Sequence, residues 1–239
     1  MNWETPPPEL DLLPNVAHVW AVNLDRQTLL GYSLSKMLSK EEHERANRFR
    51  FDKDRTAFVS ARGSLRVILA QYLKCAPAEL VFLYGEQGKP HLASQWAESG
   101  LRFNLSHSSG MALVAVCSDY NIGVDVEHID RRMGSMMQVA KRFFASKEYE
   151  TLDALPTELQ HRAFFHCWTR KEAFIKAVGK GLSYPLSDFE VNLDIEARLL
   201  HLVEGCASAW TLQHLDPGGG YVGAVAIEGQ DVEVKCWQV

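Results

Sequence analysis

The sequence predicts an α+β fold made by duplication: two α+β lobes related by a pseudo-twofold axis, each a long helix packed on a small antiparallel sheet. Three observations predict it. Sliding the chain against itself by 107 positions aligns Ser39-Lys40-Glu41 with Ser146-Lys147-Glu148, Phe58 with Phe165, Phe82 with Phe189 and His107 with His214. A long repeat of this kind means two subdomains rather than a solenoid. Each half then runs strand, helix, helix, strands, the pattern of a helix laid on a sheet. A polar turn, Ser118-Asp119-Tyr120-Asn121, separates the halves between apolar strands, so the lobes are expected to span residues 1–120 and 121–239.

The elements follow in order. Apolar or alternating stretches at 16–22 and 122–126 open the two halves as strands. The Ser-Lys-Glu segments start a helix in each, because serine is a good N-cap and acids in the first turn suit the helix dipole. Second helices are expected at 58–73 and 163–178. Strands follow at 80–84, 101–105 and 112–117, and again at 189–193, 209–212 and 222–227.

Composition narrows the function. The 239 residues are 46% hydrophobic, enough for a sizeable core, and carry a net charge of −5. An acidic chain is a poor polyanion binder, which argues against nucleic acid. Five scattered cysteines without a Cys-x-x-Cys fit reduced thiols better than disulfides or zinc. No signal peptide and no membrane-length apolar run are present, so the expected location is cytoplasmic and no membrane partner is expected.

The chemistry concentrates in the second half. In Ile122-Gly123-Val124-Asp125-Val126-Glu127, residues two apart on a strand share a face, so Asp125 and Glu127 aim together. In Trp168-Thr169-Arg170-Lys171-Glu172-Ala173-Phe174-Ile175-Lys176, Glu172 and Lys176 stand four apart on one helix face, at the edge of the apolar arc; Lys171 falls inside that arc. Three carboxylates with an ammonium suit a hard cation bridging to phosphate oxygens, as Mg²⁺ does. The first half has His18 and Trp20 in place of the strand acids and Leu65 in place of Glu172, so a single composite site between lobes is expected. The segment Asn104-Leu105-Ser106-His107-Ser108 ends a strand; adjacent Ser106 and His107 diverge, which disfavours a serine nucleophile and suits phosphate contacts. The Gly85-Glu86-Gln87-Gly88-Lys89-Pro90 turn is no Walker loop.

Phe103-Asn104-Leu105-Ser106-His107-Ser108, Gly123-Val124-Asp125-Val126-Glu127 and the Trp168–Lys176 segment together resemble the 4′-phosphopantetheinyl transferases of the surfactin-synthetase-activating (Sfp) type. The resemblance implies a monomeric transferase that moves phosphopantetheine from coenzyme A to a serine of an acyl, polyketide or peptidyl carrier protein, with Mg²⁺ as cofactor. It implies Asp125, Glu127 and Glu172 as metal ligands and Lys176 against the pyrophosphate. Asn104, Ser106 and His107 would meet coenzyme A phosphates, and Gly88, Lys89, Pro90 and Arg45 would lie near the 3′-phosphate. Glu148 matches a proposed general base, with Lys176 or a metal-bound hydroxide the alternatives. The basic and methionine-rich run Arg131, Arg132, Met133, Met136, Met137, Lys141, Arg142, Phe143 and Phe144 is read as a carrier-docking surface or as a solvated helix with core methionines. A metal-dependent phosphohydrolase and a non-catalytic coenzyme A-binding module are the rival readings.

Overall fold

A computed structural model describes residues 2–131 and 134–239, with Leu182 described by its backbone alone. In chain order the strands and helices are β1 (Trp3–Glu4), β2 (Val16–Asn23), β3 (Thr28–Leu29), β4 (Tyr32–Ser33), α1 (Lys40–Ala46), α2 (Asp52–Leu73), β5 (Phe82–Tyr84), β6 (Pro90–Leu92), β7 (Leu101–Ser108), β8 (Met111–Ser118) and β9 (Ile122–His128). Then come α3 (Met136–Phe143), α4 (Ser146–Asp153), α5 (Thr157–Val178), β10 (Phe189–Val191), β11 (Leu199–Leu202), β12 (Thr211–Leu215), β13 (Tyr221–Ile227) and β14 (Glu233–Gln238).

The duplicated plan is present. Helix α2 packs on a sheet ordered β1-β14-β2-β8-β7, and α5 packs on a sheet ordered β12-β13-β9. Trp20, Leu65, Ile68, Phe103 and Val114 anchor the first core, and Phe164, Phe174, Phe189 and Ala224 the second. A third cluster, including Val19, Leu113, Val124, Val126 and Val225, seals the sheets against one another. Both long helices start about six residues earlier than apolar periodicity indicates, because their first turns are polar and exposed.

A buried motif repeats in both lobes. Glu148 supplies one arm of a capping box by accepting from the Ala145 N–H, alanine having no side chain to give the other, while Lys171 from α5 donates to the Leu186 and Phe189 carbonyls and pairs with Glu148 at 2.8 Å. In the first lobe Glu42 closes the box on Ser39, and Arg66 from α2 donates to the Pro77 and Leu80 carbonyls and pairs with Glu42 at 2.7 Å. Removing one partner of such a pair would strand an uncompensated buried charge, which is strongly destabilising. The counterpart of Glu148 is therefore Glu42, one position from the Glu41 that the 107-residue offset aligns with it. Lys171, placed inside the apolar arc by sequence, is fully buried and spends its ammonium on Glu148 and the two carbonyls.

One element departs from the expected division at residue 120. Strand β14 crosses back to the N-terminal sheet and runs parallel to β2, with Glu233 opposite Val16 and Gln238 opposite Ala21, while β1 adds to its outer edge. The C-terminal segment thus belongs structurally to the first lobe.

Candidate functional site

Strand β9 is the edge of its sheet and faces β7, the edge of the other, so the two lobes meet there. On β9, Ile122, Val124 and Val126 turn into the inter-lobe core, leaving Asp125 and Glu127 on the face that α5 covers. Helix and strand approach closely because residue 123 is glycine. A Cβ there would lie 2.1 Å from the Ala173 carbonyl oxygen and 2.3 Å from the Ala177 nitrogen. An isolated glycine in a strand is itself a signal of such an approach. The contact sets α5 so that Glu172 and Lys176, one turn apart, overlook the acids.

The side chains converge. Lys176 Nζ lies 2.6 Å from Asp125 Oδ1 and donates to Ser106 Oγ at 2.9 Å, and Ser106 Oγ donates to the same Asp125 oxygen at 2.8 Å. Glu127 pairs with Arg131 through Oε1 and accepts from Ser108 Oγ through Oε2. Glu172 is pushed up to about 7, chiefly by burial and then by the charge of Asp125; Glu127 adds to the effect, while Lys176 and Arg131 oppose it. The three carboxylates thus share one electrostatic environment. Carboxylates raised by burial and by one another's charge are candidates for a functional site.

Among the described residues, no group of three or more His, Cys, Asp or Glu side chains already forms a metal cluster. The protein's own cations sit on Asp125 and Glu127. Yet Asp125 Oδ2 is a buried acceptor without a hydrogen bond, and a hard oxygen donor set with an unused lone pair fits Mg²⁺.

The other expected residues divide. Asn104, Ser106 and His107 lie on β7; Asn104 and Ser106 are buried against β9, whereas His107 is on the opposite face and exposed, near enough to Lys176 to feel its charge. Gly88, with φ of 75°, turns the β5–β6 hairpin, and Pro90 begins β6. Lys89 donates to the Ile122 and Ala177 carbonyls, both at 3.1 Å, and so ties the hairpin to β9 and α5; burial pushes it down to about 8. Lys89 and Pro90 help to line a cavity of about 240 Å³ with Arg102, Phe103, Ile122 and Ala177, from both lobes. Arg45, on α1, is exposed and stacks 5.2 Å above the Phe58 ring; among the described residues no hydrogen bond or ion pair joins it to the crevice.

Glu148 requires a correction. It is 2% exposed, and its oxygens hold the Ala145 and Val191 N–H groups and the Lys171 ammonium. A carboxylate so enclosed cannot meet a carrier serine; its role is to fasten α4 to α5 and β10. In the predicted docking run, Arg132 and Met133 lie outside the described residues. Lys141 and Arg142 are exposed at the end of α3, Met136 and Met137 pack against the second core, and Phe144 is buried. Sequence reasoning missed Ser108 and Arg131 as partners of Glu127.

A larger cavity of about 990 Å³ lies away from the carboxylates, between β12 and β14, where the His166 and His214 rings sit 4.7 Å apart. Glu4, Glu196, Asp216 and Glu233 help to line it, but among the described residues they form no group able to hold a metal ion. The first lobe also lacks one: Tyr72 Oη bonds to His18 Nδ1 at 2.8 Å and accepts from Trp20 Nε1 at 2.9 Å, filling the equivalent position with a closed aromatic knot.

Comparison with known proteins decides the family. Residues 121–226 match the model of the 4′-phosphopantetheinyl transferase superfamily, and residues 30–119 match that of the 4′-phosphopantetheinyl transferase N-terminal region. The 4′-phosphopantetheinyl transferase HetI of Nostoc is 42% identical over 237 residues, covering 99% of this chain and 98% of the relative. The chain belongs to the 4′-phosphopantetheinyl transferase family. Within that family, the transferase Sfp of Bacillus subtilis is 32% identical, covering 65% of this chain and 66% of its own. The solved Thermotoga maritima holo-[acyl-carrier-protein] synthase covers 46% of this chain and 63% of its own at 19% identity and a TM-score of 0.35, too slight a likeness to bear on the argument. No helix among the described residues is long and apolar enough to cross a membrane.

Proposed function

We propose that this transferase is of the Sfp type and uses Asp125, Glu127 and Glu172 to hold Mg²⁺ in the crevice between its lobes. The activity is transfer of 4′-phosphopantetheine from coenzyme A to a carrier-protein serine, releasing 3′,5′-ADP. The observation that carries the site assignment is the meeting of β9 acids, α5 Glu172 and Lys176, and β7 Ser106 at one seam. When bound, Mg²⁺ neutralises diphosphate charge as the leaving group departs.

The chain's own residues position and neutralise, as in other phosphoryl transfers. Lys176, half-buried and already shared between Ser106 and Asp125, supplies an ammonium that strengthens its contact as charge develops on phosphate oxygens. His107 adds a ring donor at the mouth of β7. With Glu148 enclosed and Lys176 held as an ammonium on Asp125, the serine hydroxyl gives its proton to water at the site rather than to either side chain. Lys89, Gly88 and Pro90 form the wall against which the nucleotide end of coenzyme A lies, and Arg45 reaches its 3′-phosphate from α1. Exposed Lys141, Arg142 and Phe143 on α3 present a basic, partly apolar face suited to an acidic acyl, polyketide or peptidyl carrier. The enzyme works as a cytoplasmic monomer of two lobes, with the 120/121 turn joining them and the last strand returned to the first.

Incubation with coenzyme A, Mg²⁺ and a panel of apo-carriers tests this. Transfer adds about 340 Da to one serine, by the covalent chemistry of the group. Release of phosphate without any mass gain would instead identify a hydrolase.

A further inference from the structure

β7 and β9 face each other without a backbone ladder; each pairs only with the interior of its own sheet. Side chains make the connection instead. Asn104 Oδ1 accepts from the Val124 N–H at 2.9 Å, Ser106 Oγ donates to Asp125 at 2.8 Å, and Ser108 Oγ donates to Glu127 at 2.7 Å. The three β7 residues are spaced by two, so they share a face, and they meet positions 124, 125 and 127 in order along β9. All three are buried. The first rung satisfies an edge N–H that would otherwise lack a partner, and the other two hold acids.

Ser108 is the rung with no role in the transfer chemistry described so far. A hydroxyl has one proton to give. Ser108 gives it to Glu127 Oε2, and its oxygen faces the His128 N–H at 3.5 Å. The other Glu127 oxygen is held by Arg131, whose side chain is half-exposed and follows the segment after β9. Without Ser108, only a pull toward that outer segment remains, and the carboxylate is free to swing away from Asp125.

We infer that Ser108 is a positioning residue: it fixes the Glu127 carboxylate toward Asp125 and Glu172, so that the three acids can receive a divalent cation. This rests on the assignment of Mg²⁺ to those acids. Residues that orient ligating carboxylates commonly change metal affinity by about 10–100-fold when removed.

The test measures Mn²⁺ binding to the full-length protein by the loss of the free-ion EPR signal, alongside the Mg²⁺ half-saturation point of carrier modification. Ser108→Ala is expected to weaken Mn²⁺ binding about 10-fold and to raise the Mg²⁺ requirement by the same factor. Ser108→Cys keeps the volume but loses the strong donor, so it should follow alanine and stands in should alanine fail to fold. Ser108→Thr restores the hydroxyl and should restore both readouts. Asp125→Asn is the reference and is expected to lose Mn²⁺ binding. Wild-type binding in Asp125→Asn would overturn the metal assignment itself. Loss in Asp125→Asn with unaltered Mn²⁺ binding in Ser108→Ala and Ser108→Cys would overturn the positioning role alone. So would a fall in kcat and melting temperature with the metal requirement unmoved, since that is what a purely structural serine gives.

Discussion

The ammonium of Lys176 rests 2.6 Å from Oδ1 of Asp125, bridging a helix and a strand that lie 51 residues apart in the chain. The acid is thereby balanced by a cation the protein supplies, and Arg131 does the same for Glu127. Glu172 has no ion pair among the described residues and bears the strain of the crowd as a raised pKa.

Removing Asp125 or Glu172 should abolish transfer while leaving the fold intact. Asp125→Ala and Glu172→Ala are each expected to lower carrier modification by at least ~10³-fold, the scale of losing a principal electrostatic contact. Intact-mass analysis reads the activity and circular dichroism the fold. Activity within tenfold of wild type in either variant would contradict the assignment.

Glu172 should also weaken the metal-free protein. Its folded pKa of about 7 lies above the unfolded value of 4.5, so its stabilising contribution is complete below 4.5 and disappears as pH rises through 7. Glu172→Gln is therefore expected to gain roughly 1–2 kcal/mol over wild type at pH 8 without metal, and little at pH 5. Urea titration at the two pH values checks both numbers, and an equal change at both would remove the carboxyl's titration as the cause.

Gly123→Ala should unseat α5. The new methyl meets backbone atoms at 2.1 and 2.3 Å, which no side-chain rotation relieves. A loss of about 3 kcal/mol or more is expected in denaturant unfolding, with activity falling because Glu172 and Lys176 move with the helix.

Lys89→Met separates a seam role from a phosphate role. The ammonium holds two carbonyls that join β9 to α5, so its loss should cost about 1–2 kcal/mol of stability. If that seam is its main work, KM for coenzyme A and for dephospho-coenzyme A should rise by the same factor. A rise confined to coenzyme A would place the ammonium on the 3′-phosphate in the complex.

Acid should loosen the protein through buried imidazoles. Burial first, then the neighbouring positive charge of Lys235, holds His18 down at about 4; burial, then His214 and Arg170, does the same to His166. Groups with folded pKa values below the ordinary 6.5 stabilise fully above that value and lose the contribution as pH falls toward 4. Stability should drop by roughly 2–4 kcal/mol between pH 7 and pH 4.5, and His166→Gln should flatten the slope.

Much of this was legible in the residues because it obeys local periods. Asp125 and Glu127 alternate with valines, and Glu172 and Lys176 keep one helical turn, so their convergence follows from two geometries. Lys171 shows the limit. Its place in the apolar arc was readable, but its partners, Glu148 and the Leu186 and Phe189 carbonyls, depend on packing between distant elements. The same holds for Glu148, which the resemblance offers as a general base and whose enclosure by Lys171, Ala145 and Val191 depends on packing between distant elements. Ser108 carried no mark that separates it from any strand serine. Strand β14 was missed because six mostly mixed residues pair in parallel with β2, more than 200 positions away, and nothing nearby announces that partner.

That returning strand makes the molecule a closed loop rather than two beads on a string. Its tail is woven between β1 and β2, so the halves cannot hinge apart without unpicking the middle of a sheet. The seam between β7 and β9, already laced by Asn104, Ser106 and Ser108, is consequently held at one spacing from its far end as well.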